Sequence, residues 1–462
     1  RGDYAGARDM FGLVARQEPE LFWPRYEIAI TARELGELDE ADVMFRELVE
    51  EARGLADGRA LVSTLNAYAT LKLDRNELES ADALLLEAFG LAAERGLLVR
   101  QAAVSANLGL VDRRLGDSEA ASVHFEDAVS IYQTIGESPP PVLLNNYSGL
   151  MLRIGRLEAA RDMSERAIAG FRTQGDRRSE AQTTNRLAHI LRRLGDFDNA
   201  LEKHRASMEI YNSIGDSRGA IHAQSGMTAV YRETGDLTRG RHNAKDVIEK
   251  ASAADNIVLL SDGYMQSAYI EANLEEHNAA IAEYHAAIDL FEVRRHVLGT
   301  RAAKIGIVVS LLELGRVDEA YDVASDYMQA ARESGSAAVQ ARGTWLLGHV
   351  AVFDLRYDDA DRLLTEARDY ALLQGDKNLQ RYTTSSFTEL YLATERADQA
   401  EKLLGEVQDI ASTDLDYMRL KARVAKAQGR HQQALTLMTD LRNNAGEGWN
   451  AKDEALLASL RD

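Results

Sequence analysis

A glycine returns along this chain at an interval too long for one secondary-structure element and too regular for chance. The stretches "RLGDSEAASVHF" from Arg114, "RIGRLEAARDMS" from Arg153, "RLGDFDNALEKH" from Arg193 and "ELGRVDEAYDVA" from Glu313 share Leu or Ile, then Gly, then Ala five residues after the glycine. Taken as a hinge, the glycine position recurs at Gly2, Gly36, Asn76, Gly116, Gly155, Gly195, Gly235, Glu275, Gly315, Leu355, Glu395 and Gly429. Most of those intervals are 40 residues, and the first and last are 34. A period of this size is one supersecondary unit stacked on copies of itself. The 462 residues can therefore form one array rather than several separate cores.

Two positions keep register with the hinge. The fifth after it is Ala7, Ala41, Ala81, Ala121, Ala160, Ala200, Gly240, Ala280, Ala320, Ala360, Ala400 and Ala434, small every time. The seventh before it is also mostly small: Ala29, Ala69, Gly109, Ser148, Ala188, Thr228, Ala268, Gly348, Thr388 and Ala422, with Val308 the bulky exception. Small residues on both sides of a turn let two helices approach closely, and Phe11, Phe45, Phe125 and Tyr284 are placed to fill the space between pairs. A second punctuation, Gly96, Gly136, Gly175, Gly215, Gly335 and Gly375, falls twenty residues after a hinge. Glycine closes helices in the left-handed conformation, so each repeat holds two helices of ~15 residues. With 5 prolines, 6% aromatic residues and no alternating β pattern, the fold class is all-α.

These residues resemble the tetratricopeptide repeat family, whose pattern sets small residues on either side of an inter-helix glycine. The resemblance covers essentially the whole chain. The lengthened repeat is similar to the variety found in kinesin light chains, Pins-type adaptors and the sensor arms of bacterial signalling proteins. HEAT and armadillo repeats have similar lengths but lack this small-Gly-small register. Glu275, Leu355 and Glu395 depart from the pattern at the hinge. The resemblance implies a helix-turn-helix solenoid, a right-handed superhelix of about twelve helix pairs, continuous over residues 1–446 and followed by a capping helix within 447–462, from about Ala451. "RGDYAGARDMF" at the start is a hinge and a second helix without a first, as expected of a fragment of a longer chain.

Chemistry is sparse against this periodic background. "GDSRG", Gly215 to Gly219, fits the G-x-S-x-G of a hydrolase nucleophile elbow. Gly215, however, is a periodic helix terminator, and the same slot one repeat earlier reads "GDRRS". The pattern therefore predicts a helix link in which Asp216 and Ser217 cap the next helix, not a catalytic serine. "GDLTRGRH" from Gly235 lacks the Lys-Ser/Thr of a phosphate-binding loop, no H-E-x-x-H occurs, and the ten histidines are dispersed. The expectation is a protein without catalytic residues, metal or cofactor.

Charge narrows the partner. A formal net charge of -20 argues against direct nucleic-acid binding, which needs a basic surface to displace counterions. No apolar run approaches the ~18 residues that span a membrane. Without cysteine the compartment stays open, with the cytoplasm favoured.

The family's ligand contacts lie on the first helix of each pair, nine and thirteen residues before the hinge, facing a concave groove. Carried over, the ninth position implies Asn107, Asn146, Arg186 and Gln266, and the thirteenth Gln182, His222, Asp262 and Arg342, with Asn145, Asn185 and His189 beside them. An asparagine donates to and accepts from a peptide backbone at once, so a ladder of amides suits an extended segment. Arg113, Arg114, Arg153, Arg192, Arg193 and Arg232 add a basic row toward the hinges, which suits an acidic partner or a free carboxylate. The same arginines would also favour their helix ends electrostatically. Later first helices such as "KIGIVVSLLELG" from Lys304 are more apolar and suit an amphipathic helix. The expected function is a non-enzymatic scaffold binding a protein or peptide segment in its groove. The alternative is a regulatory sensor arm of a larger bacterial signalling protein, with a kinase or winged-helix DNA-binding domain upstream.

Overall fold

The hinge residues act as helix terminators throughout the computed structural model, which describes residues 3–56, 58–407 and 415–461. The hinge read at Gly2 lies outside the described residues. At Gly36 the backbone takes φ 83°. Gly36 N–H then reaches the Arg33 carbonyl at 3.0 Å and Glu37 N–H the Ala32 carbonyl at 3.0 Å. This pair of bonds satisfies carbonyls that the helix end would leave open. The non-glycine hinges keep the same geometry: Asn76, Glu275, Leu355 and Glu395 take φ of 59°, 61°, 60° and 58°. At Glu275, for example, the two bonds run to Ala272 at 3.1 Å and, from Glu276, to Glu271 at 2.9 Å. The mid-repeat slot behaves alike, and two non-glycines join it, Asp255 (φ 47°) and Arg295 (φ 53°).

Aspartates open many of the following helices. The side chains of Asp117, Asp176, Asp216 and Asp376 accept from the backbone N–H three residues on at 2.9, 3.1, 3.0 and 3.1 Å, each satisfying one of the orphan donors of a helix start. "GDSRG" is one of these links. Gly215 ends a helix at φ 72°, Asp216 caps, and Ser217 is the first residue of the helix Ser217–Glu233.

Among the described residues the result is 24 α-helices and one short 3-10 turn, and all regular structure there is helical. Consecutive helices pack in antiparallel-type pairs, about twelve in all, which is a helix-turn-helix solenoid. The chain divides into two compact lobes, Arg1–Gly195 and Asp196–Asp462. Within each lobe, first helices also touch the first helices of neighbouring repeats and so form a continuous inner layer.

The small positions are where the pairs close. From Ala41 to Ala434 every alanine at the fifth position is fully buried, and Gly240 is buried with them. Ala7 is half-buried, in a helix, Tyr4–Gln17, without buried residues. A Cβ on Gly109 would stand 3.1 Å from the Phe125 ring and 3.2 Å from the Ala121 carbonyl. Phe45, Phe125 and Tyr284 are buried between helices, and Phe11 is half-buried. In the helix Val297–Glu313 the apolar excess after Lys304 is mostly core: Ile307, Val308, Leu311 and Leu312 are buried and Val309 is exposed, as are Val297 and Leu298 at the helix start.

The C-terminal residues leave the register. The helix Ala451–Ala458 starts with a reciprocal capping box between Asn450 and Asp453. Just before it, Glu447 N–H donates to the Gly235 carbonyl at 3.1 Å. Its carboxylate accepts from Thr238 N–H, at the start of the helix Leu237–Ala253. Lys452 pairs with Glu313.

Candidate functional site

The residues implied at the ninth and thirteenth positions lie on the inner layer, and the structure divides them by what already occupies them. In the N-terminal lobe, Asn107 donates through Nδ2 to Asn66 Oδ1 at 2.8 Å, linking two first helices side chain to side chain. One repeat on, the Asn145 side chain accepts from Thr183 Oγ1 at 2.9 Å and from Arg186 Nη1 at 2.5 Å. The Asn145 carbonyl accepts from the same Nη1 at 2.6 Å. Asn145 thus fixes the direction of the Arg186 guanidinium. Asn146 is half-buried and Gln182 exposed, and neither has an intramolecular side-chain hydrogen bond among the described residues. His189 is half-buried on the same helix as Arg186.

The basic row has a structural use. Arg114 donates to the Leu73 carbonyl, Arg153 to the Arg113 carbonyl at 3.2 Å, and Arg193 to the Leu152 carbonyl at 2.8 Å. In each case an arginine two residues before one hinge ties to a carbonyl three residues before the preceding hinge. That carbonyl sits at a helix C-terminus, where the dipole favours a cation and the oxygen has a further lone pair to offer. These three arginines remain exposed, but one nitrogen of each is committed to holding adjacent repeats in register.

Arg113 is different. It is half-buried, has no acceptor among the described residues, and stands near Arg186 across Gly149: a Cβ on Gly149 would lie 3.7 Å from Arg113 Nη1 and 3.7 Å from Arg186 Cζ. Burial first, then the neighbouring guanidiniums of Arg153 and Arg114, push the Arg113 pKa down. Arg186 is pushed down by burial and by Arg113. The sequence pattern includes Arg113 in the basic row without separating it from the ties, and nothing in it marks Gly149, which lies off both small positions.

In the C-terminal lobe the inner layer is more self-satisfied. Arg342 pairs with Asp376 at 2.8 Å, Arg423 makes a two-pronged contact with Glu389, one arm at 2.7 Å, and Arg232 lies over the Tyr269 ring at 5.3 Å. Trp345 stacks on Tyr382 at 4.9 Å and on His349 at 6.0 Å. Trp345 Nε1 donates to Ser386 Oγ at 2.9 Å, which lies 3.0 Å from His349 Nδ1. Gln266 is half-buried with Oε1 buried and without a partner among the described residues. His222 is exposed and neighbours Asp262, whose carboxyl is raised above its usual value by burial. The amide ladder is thus densest from Asn66 to Arg186, and Arg113, without an acceptor among the described residues, lies there too.

Comparison with known proteins follows the same geometry. The family model described as tetratricopeptide repeat matches residues 179–249. No curated protein sequence matches significantly. Among solved structures, the apo form of RapI aligns at a TM-score of 0.57 and 12% identity, over 79% of this chain and 99% of that one. The apo form of the quorum sensor NprR from B. thuringiensis gives 0.56 and 12%, over 77% and 99%. A Rap protein complexed with competence and sporulation factor gives 0.50 and 12%, over 79% and 99%. At such identities the likeness is one of fold. Repeat register, the family model matched over residues 179–249 and the shared fold agree on a tetratricopeptide-type helical solenoid.

Proposed function

We propose that this protein is a non-enzymatic regulatory scaffold that binds a peptide or protein segment along the inner layer of its N-terminal lobe. The observation that carries the reading is the run of side-chain amides on successive first helices, Asn66, Asn107, Asn145 and Asn146, with Asn146 and Gln182 left without intramolecular partners. Amides spaced one repeat apart can hold an extended backbone without regard to its side chains. The segment is acidic or carries a free carboxylate, which the arginines between Arg113 and Arg193 would meet with charge-assisted bonds of roughly 1.5–3 kcal/mol each. Fold likeness to a protein solved with competence and sporulation factor supports a bound ligand. Likeness to a quorum sensor supports the sensor-arm form of the same reading, in which binding controls an effector.

Partner capture from lysate, followed by mapping of the bound segment, is the test. Replacing Asn146 and Arg186 together by alanine is expected to weaken capture at least tenfold with helicity unchanged; undiminished capture overturns the reading. Labelling of Ser217 by a serine-directed fluorophosphonate would overturn its non-enzymatic part. A kinase or winged-helix domain in the full-length reading frame would establish the sensor-arm form.

A further inference from the structure

Three arginines of the N-terminal lobe come together without a carboxylate. Arg113 lies on the helix Leu98–Leu115, Gly149 on Pro141–Arg153 and Arg186 on Arg177–Arg193. Counted back from their own hinges they stand three, six and nine residues away, so they cross three adjacent first helices on a diagonal. Gly149 offers no side chain at the middle of that diagonal, and a guanidinium closes over the bare backbone from each side, both 3.7 Å from where a Cβ would be. Arg153 joins through its bond to the Arg113 carbonyl.

What surrounds these cations is more cations. The charges acting on Arg113 are Arg153 and Arg114, and the charge acting on Arg186 is Arg113. Some other arginines of the first helices find acids: Arg342 has Asp376 at 2.8 Å, Arg419 has Asp453 at 2.9 Å, and Arg423 has Glu389. A chain with 74 acidic residues against 54 basic ones has acids to spare, yet none is placed here. Half-buried like charges are costly unless an opposite charge arrives.

We propose that Arg113, Arg153 and Arg186 form an anion subsite over Gly149 that takes a compact oxyanion, a carboxylate or phosphoryl group, of the bound segment. Arg186 is already oriented: Asn145 holds its Nη1 through two oxygens, leaving Nε and Nη2 without protein acceptors among the described residues. A planar guanidinium fixed in this way meets an oxyanion in a two-pronged contact with little further loss of freedom. The missing Cβ leaves room for the oxygens. Because Arg113 stands close to both the Arg186 and the Arg153 guanidinium, a dianion is balanced better than a monoanion, and a phosphoryl group binds more tightly than a single carboxylate.

The proposal rests on the inner layer of the N-terminal lobe being the binding face, and a small-anion probe separates the two. Thermal unfolding of the full chain is followed in chloride, acetate and inorganic phosphate at matched ionic strength. Phosphate is expected to raise the midpoint by about 2–4 °C at ten times its dissociation constant, and acetate by less. Arg113→Gln is expected to abolish both responses. Gly149→Glu, which plants a carboxylate between the guanidiniums at a helical position, is expected to raise the midpoint in chloride and to leave no phosphate response. Circular dichroism checks that both variants fold. Equal midpoints in phosphate and chloride for the unaltered chain, or a phosphate response surviving both substitutions, overturns the subsite. If the response behaves as expected while partner capture ignores Asn146→Ala with Arg186→Ala, the subsite stands and the peptide-groove reading falls.

Discussion

Leu355 occupies a hinge with φ 60° and its side chain 69% exposed. An L-residue in this conformation brings its Cβ against the following carbonyl, at a cost of roughly 1–2 kcal/mol, and no buried contact offsets it. Leu355→Gly is expected to stabilise the chain by about 1 kcal/mol after the extra flexibility glycine gives the unfolded state. Urea denaturation measures this, and an unchanged or lower midpoint contradicts it. Gly306 shows the opposite case. A Cβ there would run into the Tyr284 ring, itself buried between helices. Gly306→Ala is expected to cost about 1–3 kcal/mol through overpacking. At both sites the backbone or its neighbour decides the residue, and only the hinge announces itself in the sequence.

Elements carry the next two predictions. The helix Leu237–Ala253 is held at its start by Asp236 from within and by Glu447 from the C-terminal turn. Removing the second carboxylate in Glu447→Ala gives up a cap and a favourable dipole interaction, about 1 kcal/mol. Amide exchange at Thr238 should accelerate; unaltered protection at Thr238 would show that the turn does not hold this helix. In the helix Ala337–Phe353, His349 stacks on Trp345 and meets Phe353 edge to face. Desolvation there pushes its pKa down, against the pull of Glu389 and Glu313. A histidine whose folded pKa lies below its unfolded value binds fewer protons when folded. Its contribution is complete above the unfolded value of about 6.5 and is lost as pH falls from there toward the folded pKa. Stability should therefore decline on acidification below about pH 6.5, and His349→Gln should flatten that slope.

At the scale of the whole molecule, helix pairs within each lobe pack on their neighbours in sequence, so a local change propagates by contact and not through one shared core. Gly306→Ala should reduce hydrogen-exchange protection along His277–Glu313 and leave Leu98–Arg153 as it was, a pattern that peptide-level exchange resolves. Uniform loss over both lobes would argue for a single cooperative array.

The same distinction explains what could be read from the residues alone. The period, the hinges and the small positions depend on where a helix must end and how near its partner must come, and both are settled within one repeat. Ala121, Phe125 and Gly195 are placed by the period alone, and even "GDSRG" declares itself a helix joint by its position in it. The roles of the arginines could not. Arg114 and Leu73, Arg153 and Arg113, and Arg193 and Leu152 meet across 40 or 41 residues, by which distance the helical pattern specifies a face but not a partner. Folding alone separated the arginines that tie repeats together from those left facing one another over Gly149, because a guanidinium's reach of several bonds lets the same residue type at nearly the same register find a carbonyl in one repeat and another cation in the next.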